Sequence, residues 1–393
     1  VQMHGIQTSG NCIRNTTTDQ FAGVARDELE DPRPYCELIR QWSTFHPEFA
    51  FLPRKFKIAV SATEEDRAAI LVHDIGLRIV KNAAGEHGFQ VYVGGGLGRT
   101  PIIGEEICSF LPKNDLLSYL EAILRVYNRY GRRDNKYKAR IKILVRALGT
   151  DAFRQKVEEE WQHLRETDMK VPALEFDRMK SFFTEPAYAS LEDNPANLLA
   201  QRAESAGFDN WIRRNCREHK KPGYMIVNLS LKQTGISPGD ITAEQLEAVA
   251  DLADEYSFGE VRSTHEQNLV FADVRQDKLF EVWQDLKSLG FATANIGFLT
   301  DIICCPGGDF CSLANAKSIP IAEAIQRRFD DLDYLYDIGD VDMNFSGCMN
   351  SCGHHHIGNI GILGVDKNGS EWYQVSLGGE QGNKAALGKV IGP

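Results

Sequence analysis

Four cysteines in two pairs are the strongest chemical signal in this chain. Cys305 and Cys311 bracket five residues in CPGGDFC, and Cys348 and Cys352 bracket three in CMNSC. Four soft thiolates suit either tetrahedral zinc or an iron-sulfur cluster. Structural zinc favours tighter pairs, because each pair closes one small knuckle. A cubane presents four separated irons, so its ligands can sit on broader loops. The glycines and proline of CPGGDFC let the backbone approach such a cluster and aim N–H groups at its sulfides. The spacing therefore points to an iron-sulfur cluster first. Zinc, completed by one of His354, His355 or His356, and inert buried cysteines remain the alternatives. Cys304 lies beside Cys305 and on an extended segment points the other way, as a packed neighbour. Three consecutive histidines cannot easily face one ion, which suits them equally to lining a polar or cofactor pocket.

A second set of residues carries positive charge. In LPRKFK, Lys55 and Lys57 share one side of a strand by period two, with Arg54 beside them. Arg14 stands in TSGNCIRN, and residues 121 to 150 hold nine Lys or Arg against two acids. An exposed edge strand with protective lysines, and a solvated helix face, are the plainer explanations of these two segments. The whole chain of 393 residues carries a formal charge of -11, so this basic character is local and does not suggest general nucleic-acid affinity. No run of apolar residues is long enough for a membrane span. Nine unevenly placed cysteines do not resemble a secreted disulfide framework and point to a reducing compartment, the cytoplasm. The chain begins VQMHG and ends KVIGP, which reads as a fragment.

The elements that must position these groups follow from periodicity. Phe56 to Val60 and Phe89 to Val93 alternate as strands, the second running into the glycine-rich VGGGLGRTP, with a helix expected over residues 64 to 74 between them. A short helix is expected after Asp31-Pro32. The stretch from Asp115 to Leu148 is helical, a polar helix follows in FRQKVEEEWQHLRETD, and residues 184 to 222 read as a proline-marked connection. Residues 224 to 290 read β-α-β-β-α, a split βαβ or ferredoxin-like half. No short-period repeat is visible. The expected class is α+β, with mixed sheets and flanking helices.

Taken together, the two cysteine pairs, TSGNCIRN, LPRKFK and VGGGLGRTP resemble, in this order along the chain, the siroheme-dependent sulfite and nitrite reductases. The resemblance implies that Cys305, Cys311, Cys348 and Cys352 hold a 4Fe-4S cluster, with Cys352 also bridging to the siroheme iron. Asn350 falls where the family has an asparagine near the cofactor. Arg14, Lys55 and Lys57 correspond to its active-site cations, and Arg54 to a cofactor contact. Siroheme carries eight carboxylates and its substrate is an anion, so a basic pocket inside an acidic protein agrees with the assignment. The implied reaction is the six-electron reduction of sulfite to sulfide in sulfur assimilation, with ferredoxin or a flavoprotein as donor. Nitrite is the alternative substrate; nitrite-preferring members tend to carry asparagine at the position of Lys57. The resemblance also implies three domains, residues 1–210, 222–292 and 293–393, in a chain lacking the family's N-terminal ferredoxin-like half and its C-terminal end. A different class of function, a non-catalytic iron-sulfur carrier or zinc-stabilised module, explains the cysteines but not the ordered cationic segments.

Overall fold

The structure, a computed structural model, describes residues 9–167 and 170–392. They divide into two compact units. The first comprises residues up to Gly23, Glu28–Glu185 and Gly382–Ala385; the second comprises Val24–Asp27, Pro186–Gln381 and residues from Ala386 on.

The first unit is built on a five-stranded sheet in chain order: β1 (Ile13–Thr17), β2 (Phe56–Ser61), β3 (Ile75–Lys81), β4 (His87–Val93) and β5 (Glu105–Pro112). β1, β2 and β3 are parallel; β3, β4 and β5 are antiparallel. Five helices accompany it: α1 (Arg33–Ser43), α2 (Leu116–Tyr130), α3 (Ile141–Leu148), α4 (Thr150–Leu164) and α5 (Ala173–Lys180). Alternation along β2 sends Phe56, Ile58 and Val60 into the core that also contains Leu38, Leu120, Ile123 and Tyr127. Each such buried side chain contributes about 1.5–3 kcal/mol. Lys57 is thereby turned to the opposite face, and Lys55 stands just before the strand.

Three sequence expectations differ from the structure. The stretch from Asp115 to Leu148 is not one helix: α2 and α3 are separated by residues 131–140, which hold only a 3₁₀ turn at Lys136–Lys138. Residues 64 to 74 do not form a helix; they hold only a three-residue 3₁₀ turn at Ile70–Val72. The Asp66 carboxylate accepts the amides of Ala68 (2.9 Å) and Ile70 (2.8 Å), and Ala69 adopts φ +53°, so local side-chain bonding replaces the helical ladder. The expected connection at 184 to 222 contains α6 (Ala196–Glu204) and α7 (Ala206–Asn215). Pro195 stands at the N-cap of α6 and Ser205 caps α7, so a proline that marks a break in the sequence instead starts a helix. The polar helix is α4, and Asp168 at the end of its expected span lies outside the described residues.

In the second unit, β6 (Cys216–Glu218), β7 (Tyr224–Leu229), β8 (Val261–Ser263) and β9 (Leu269–Arg275) form an antiparallel sheet in the order β6-β7-β9-β8. With α8 (Ala243–Tyr256) and α9 (Leu279–Leu289) it reproduces the expected β-α-β-β-α order. A capping box of Thr242 and Gln245 starts α8. A second five-stranded sheet follows: β10 (Ile303–Cys304), β11 (Met343–Ser346), β12 (Ile360–Lys367), β13 (Ser370–Leu377) and β14 (Lys389–Gly392). Helices α10 (Gly307–Phe310), α11 (Ile319–Arg328) and α12 (Leu332–Ile338) lie between β10 and β11 in the chain.

The two five-stranded sheets are copies of one design. β10, β11 and β12 are parallel and β12, β13 and β14 antiparallel, as in the first sheet. The correspondence reaches single hydrogen bonds. The amide of Gly94 donates to the Asp74 carbonyl and that of Gly378 to the Asn359 carbonyl, both at 3.0 Å. The bridge Gly96 to Ile102 is matched by Glu380 to Ala386, and the bond from Gly104 to Leu71 by that from Gly388 to His356. VGGGLGRTPIIG and LGGEQGNKAALG are therefore the same turn, in copies too far apart to register as a short-period repeat.

Candidate functional site

The parallel pairing of β1 with β2 sets Ile13 opposite Phe56 and Asn15 opposite Lys57. Ile13 and Phe56 face the core, so Lys57 emerges on the other face; the register shifts between Ile13 and Asn15, which puts Arg14 at the irregularity, and Lys55 stands just before β2. Together they form a group. Burial first, and then the charges of Arg140, Lys57, Arg14 and Arg54, push the Lys55 ammonium below the usual lysine range. Four cations thus act on a fifth. All five are half-buried, where mutual repulsion is less screened than on an open surface.

One carboxylate anchors the group. Asp74 is fully buried; its Oδ2 accepts the Lys57 amide at 2.9 Å, and the Arg140 guanidinium forks onto it through Nε and Nη2 at 2.7–2.9 Å. Burial raises the Asp74 carboxyl, while Arg140, the Lys57 amide and Lys142 act the other way. Lys142 is also buried, and its Nζ donates to the carbonyls of Gly96 (3.1 Å), Leu97 (2.7 Å) and Thr100 (2.6 Å), pinning the glycine-rich turn. Its ammonium is pushed down to about 8 by burial and Arg140. The turn needs its glycines: a Cβ at Gly95 would stand 2.4 Å from the Leu71 carbonyl oxygen. Lys142→Met leaves three carbonyls without their donor, and urea unfolding should show a loss of about 2–3 kcal/mol. Unfolding indistinguishable from that of the unmodified protein would remove this role.

The rest of the basic segment is mostly engaged elsewhere. Arg125 pairs with Glu48, Glu121 and Glu160, and Arg132 with Asp134. Arg133 donates to the Phe51 carbonyl. Asp74, Arg140 and Lys142 were not singled out from sequence; only the local surplus of basic residues hinted at the last two.

In the second unit the thiols sit at strand ends. Cys305 follows β10 and Cys348 follows the adjacent parallel strand β11, with the Cys305 amide bonded to the Phe345 carbonyl. The Gly347 amide donates to Cys305 Sγ at 3.0 Å, the kind of N–H···S bond that stabilises a thiolate. The loop after Cys311 returns to the same place, because Asn315 and Ala316 both donate to the Gly347 carbonyl. A Cβ on Gly347 would meet the Cα of Gly307 at 2.7 Å, so glycine is what allows the two loops to touch. Among the described residues no three His, Cys, Asp or Glu side chains converge on a point suited to one ion. A cubane places each thiolate on a different iron and makes no such demand. Cys311 is half-buried, while Cys352 and Asn350 are exposed. Cys304 packs in the apolar core, where burial and Cys305 push its thiol up to about 12. The side-chain amide of Gln267 brackets the Cys304 backbone, accepting from its N–H at 2.7 Å and donating to its carbonyl at 2.8 Å.

Of the three histidines, His355 is buried with neither ring nitrogen hydrogen-bonded, and burial followed by its neighbours His356 and His354 pushes its imidazole down to about 3. The repeat also exposes an inversion of charge. Lys57 precedes Ile58, which pairs with Ile75; Asp342 precedes Met343, which pairs with Ile360. Asp340 and Asp342 therefore occupy the positions of Lys55 and Lys57. Burial, then Asp301, Glu266 and Asp340, raise the Asp342 carboxyl to about 6. The cationic group belongs to one copy alone.

Comparison with known proteins matches these two units to profiles of one family. "Nitrite and sulphite reductase 4Fe-4S domain" matches residues 9–164, and "Nitrite/Sulfite reductase ferredoxin-like half domain" matches residues 217–289. The chain belongs to the nitrite and sulfite reductase family. Among its relatives, Sulfite reductase [ferredoxin] 1 of Mycolicibacterium paratuberculosis is 28% identical over 98% of this chain and 64% of that protein. The chloroplastic ferredoxin–nitrite reductase of Arabidopsis thaliana is 26% identical over 99% of this chain and 62% of that protein. The solved structure of Mycobacterium tuberculosis NirA protein matches with a TM-score of 0.75 at 26% identity, over 98% of this chain and 64% of that one. The chain thus spans a little under two thirds of the length of these reductases. Arg14, Lys55, Lys57, Asp74, Arg140 and Lys142 lie inside the first matched segment, whereas the four paired cysteines lie outside both. In this chain the cysteine assignment rests on spacing and loop geometry.

Proposed function

We propose that this protein reduces sulfite to sulfide, using siroheme and a 4Fe-4S cluster, with ferredoxin as electron donor. The observation that carries the reading is the convergence of Arg14, Arg54, Lys57 and Arg140 on Lys55 in a member of this family. Five half-buried cations acting on one another call for anions. Siroheme's carboxylates and a bound oxyanion satisfy that requirement, and the Gly347 amide on Cys305 Sγ suits a thiolate ligand of the cluster. Cys305, Cys311, Cys348 and Cys352 are assigned to the cluster, and Arg54 and Asn350 to siroheme. When bound, this cofactor pair supplies the redox chemistry.

The chain's own residues then have three tasks. Arg14, Lys55 and Lys57 bind the oxyanion and offset its charge. Their N–H groups hydrogen-bond the oxygens, which favours departure of each oxygen as water. Lys55, held below the usual lysine range, is also a stronger acid than a solvated lysine and suits proton delivery to those oxygens. Overall, HSO₃⁻ takes up six electrons and seven protons to give H₂S and three waters. The functional division follows residues 1–210, 222–292 and 293–393, which carry the anion pocket, a ferredoxin-like half and the cluster cysteines. No helix among the described residues is long and apolar enough to cross a membrane; the cytoplasm is the proposed compartment.

The test is sulfide formation by the holoprotein with reduced ferredoxin. One sulfide per six donors oxidised is expected, and neither sulfide nor ammonium from the corresponding anions would contradict the reading. Lys57 sets the preference between substrates. Lys57→Asn removes a charge and a donor that suit the larger oxyanion, and should raise the nitrite-to-sulfite ratio of kcat/KM about tenfold. An unchanged ratio would take Lys57 out of substrate selection.

A further inference from the structure

We propose that Asp74 is the positioning residue of the cationic group, acting through Arg140; this rests on the anion-reducing function proposed above. Both Asp74 oxygens accept N–H groups, one from Arg140 alone and the other from Arg140 and the Lys57 amide. A single buried side chain thus fixes the start of the lysine strand and the guanidinium whose charge acts most strongly on Lys55.

The internal repeat separates these two tasks. In the second copy Asn359 takes the place of Asp74, and its Oδ1 accepts the Asp342 amide at 2.9 Å, as Asp74 accepts the Lys57 amide at 2.9 Å. Holding the strand therefore needs only an amide oxygen. A carboxylate is found where a guanidinium must also be held in a two-point fork, which a carboxamide with one acceptor oxygen cannot reproduce. Asp74 is distinguished by what it does to Arg140.

Asp74→Asn is the informative variant, because asparagine already serves at the equivalent position of the same fold. The holoprotein should keep its melting temperature within a few degrees and keep the Lys57 amide protected from hydrogen exchange. Its dissociation constant for sulfite should rise about tenfold. The direction is diagnostic: loss of a negative charge, by Coulomb attraction alone, would tighten anion binding, so weaker binding reports lost geometry. In an Arg140→Met background the same substitution should cost little more, since a residue acting through Arg140 has nothing left to position. Sulfite bound equally or more tightly by Asp74→Asn, or additive losses in the double variant, would overturn the inference. An unmodified protein that binds no sulfite overturns the reductase reading instead, and the exchange and melting data still show whether Asn replaces Asp in holding Lys57.

Discussion

Cys348→Ser should yield a folded protein without its cluster: iron and acid-labile sulfide fall to background, visible absorption is lost and sulfite reduction disappears. Serine replaces the soft, easily ionised thiolate with a hard hydroxyl that stays protonated near neutral pH, so one corner of the cluster loses its ligand. The position makes the effect severe. Cys348 is buried directly after Gly347, whose amide already serves Cys305. Cys304→Ser is the matched control. Its side chain belongs to the apolar core, so iron content should be retained with only a modest loss of stability. Equal iron loss in both variants would indicate general damage to the β10–β11 region rather than ligand removal. Retained iron in Cys348→Ser would exclude it as a ligand.

The second large effect is expected at the lysine pair. Lys55→Met or Lys57→Met should lower kcat/KM for sulfite about 10²–10³-fold while leaving iron content intact, the range seen when a positioned donor to a developing charge is removed. Methionine keeps most of the length and apolar stem, so the strand and core should survive. The double variant should lose less than the product of the two single losses, as expected of the proposed joint action of both lysines on one anion. Activity and cofactor lost together would instead place the lysines in cofactor retention. Full activity in both single variants would remove them from the reaction.

Legibility in the sequence followed the range of the interactions. Lys55 and Lys57 were readable because two residues of separation at the head of β2 keep them close, and the cysteine pairs because each is local. The ferredoxin-like half was equally plain, since its helices and strands each carry their own periodicity and the Thr242–Gln245 cap is a four-residue signal. Asp74 and Arg140 stand 66 residues apart, and nothing local marks them as a pair. The helix expected at 64 to 74 failed because Asp66 bonds its own downstream amides, a choice that hydrophobic patterning does not register. The duplication was hidden because most of what it conserves is backbone: Gly94 and Gly378 are recognisable once paired, but Lys57 and Asp342 have opposite charges. That divergence is also functional information, since one copy has cations where the other has acids.

The decisive measurement is the visible absorption spectrum of the holoprotein, purified anaerobically from a host that synthesises siroheme and then reduced and titrated with sulfite. A siroheme coupled to a cluster should give a Soret band and a red band that both shift as sulfite binds. A colourless protein containing zinc would contradict the reductase reading and leave the cysteines with a structural role.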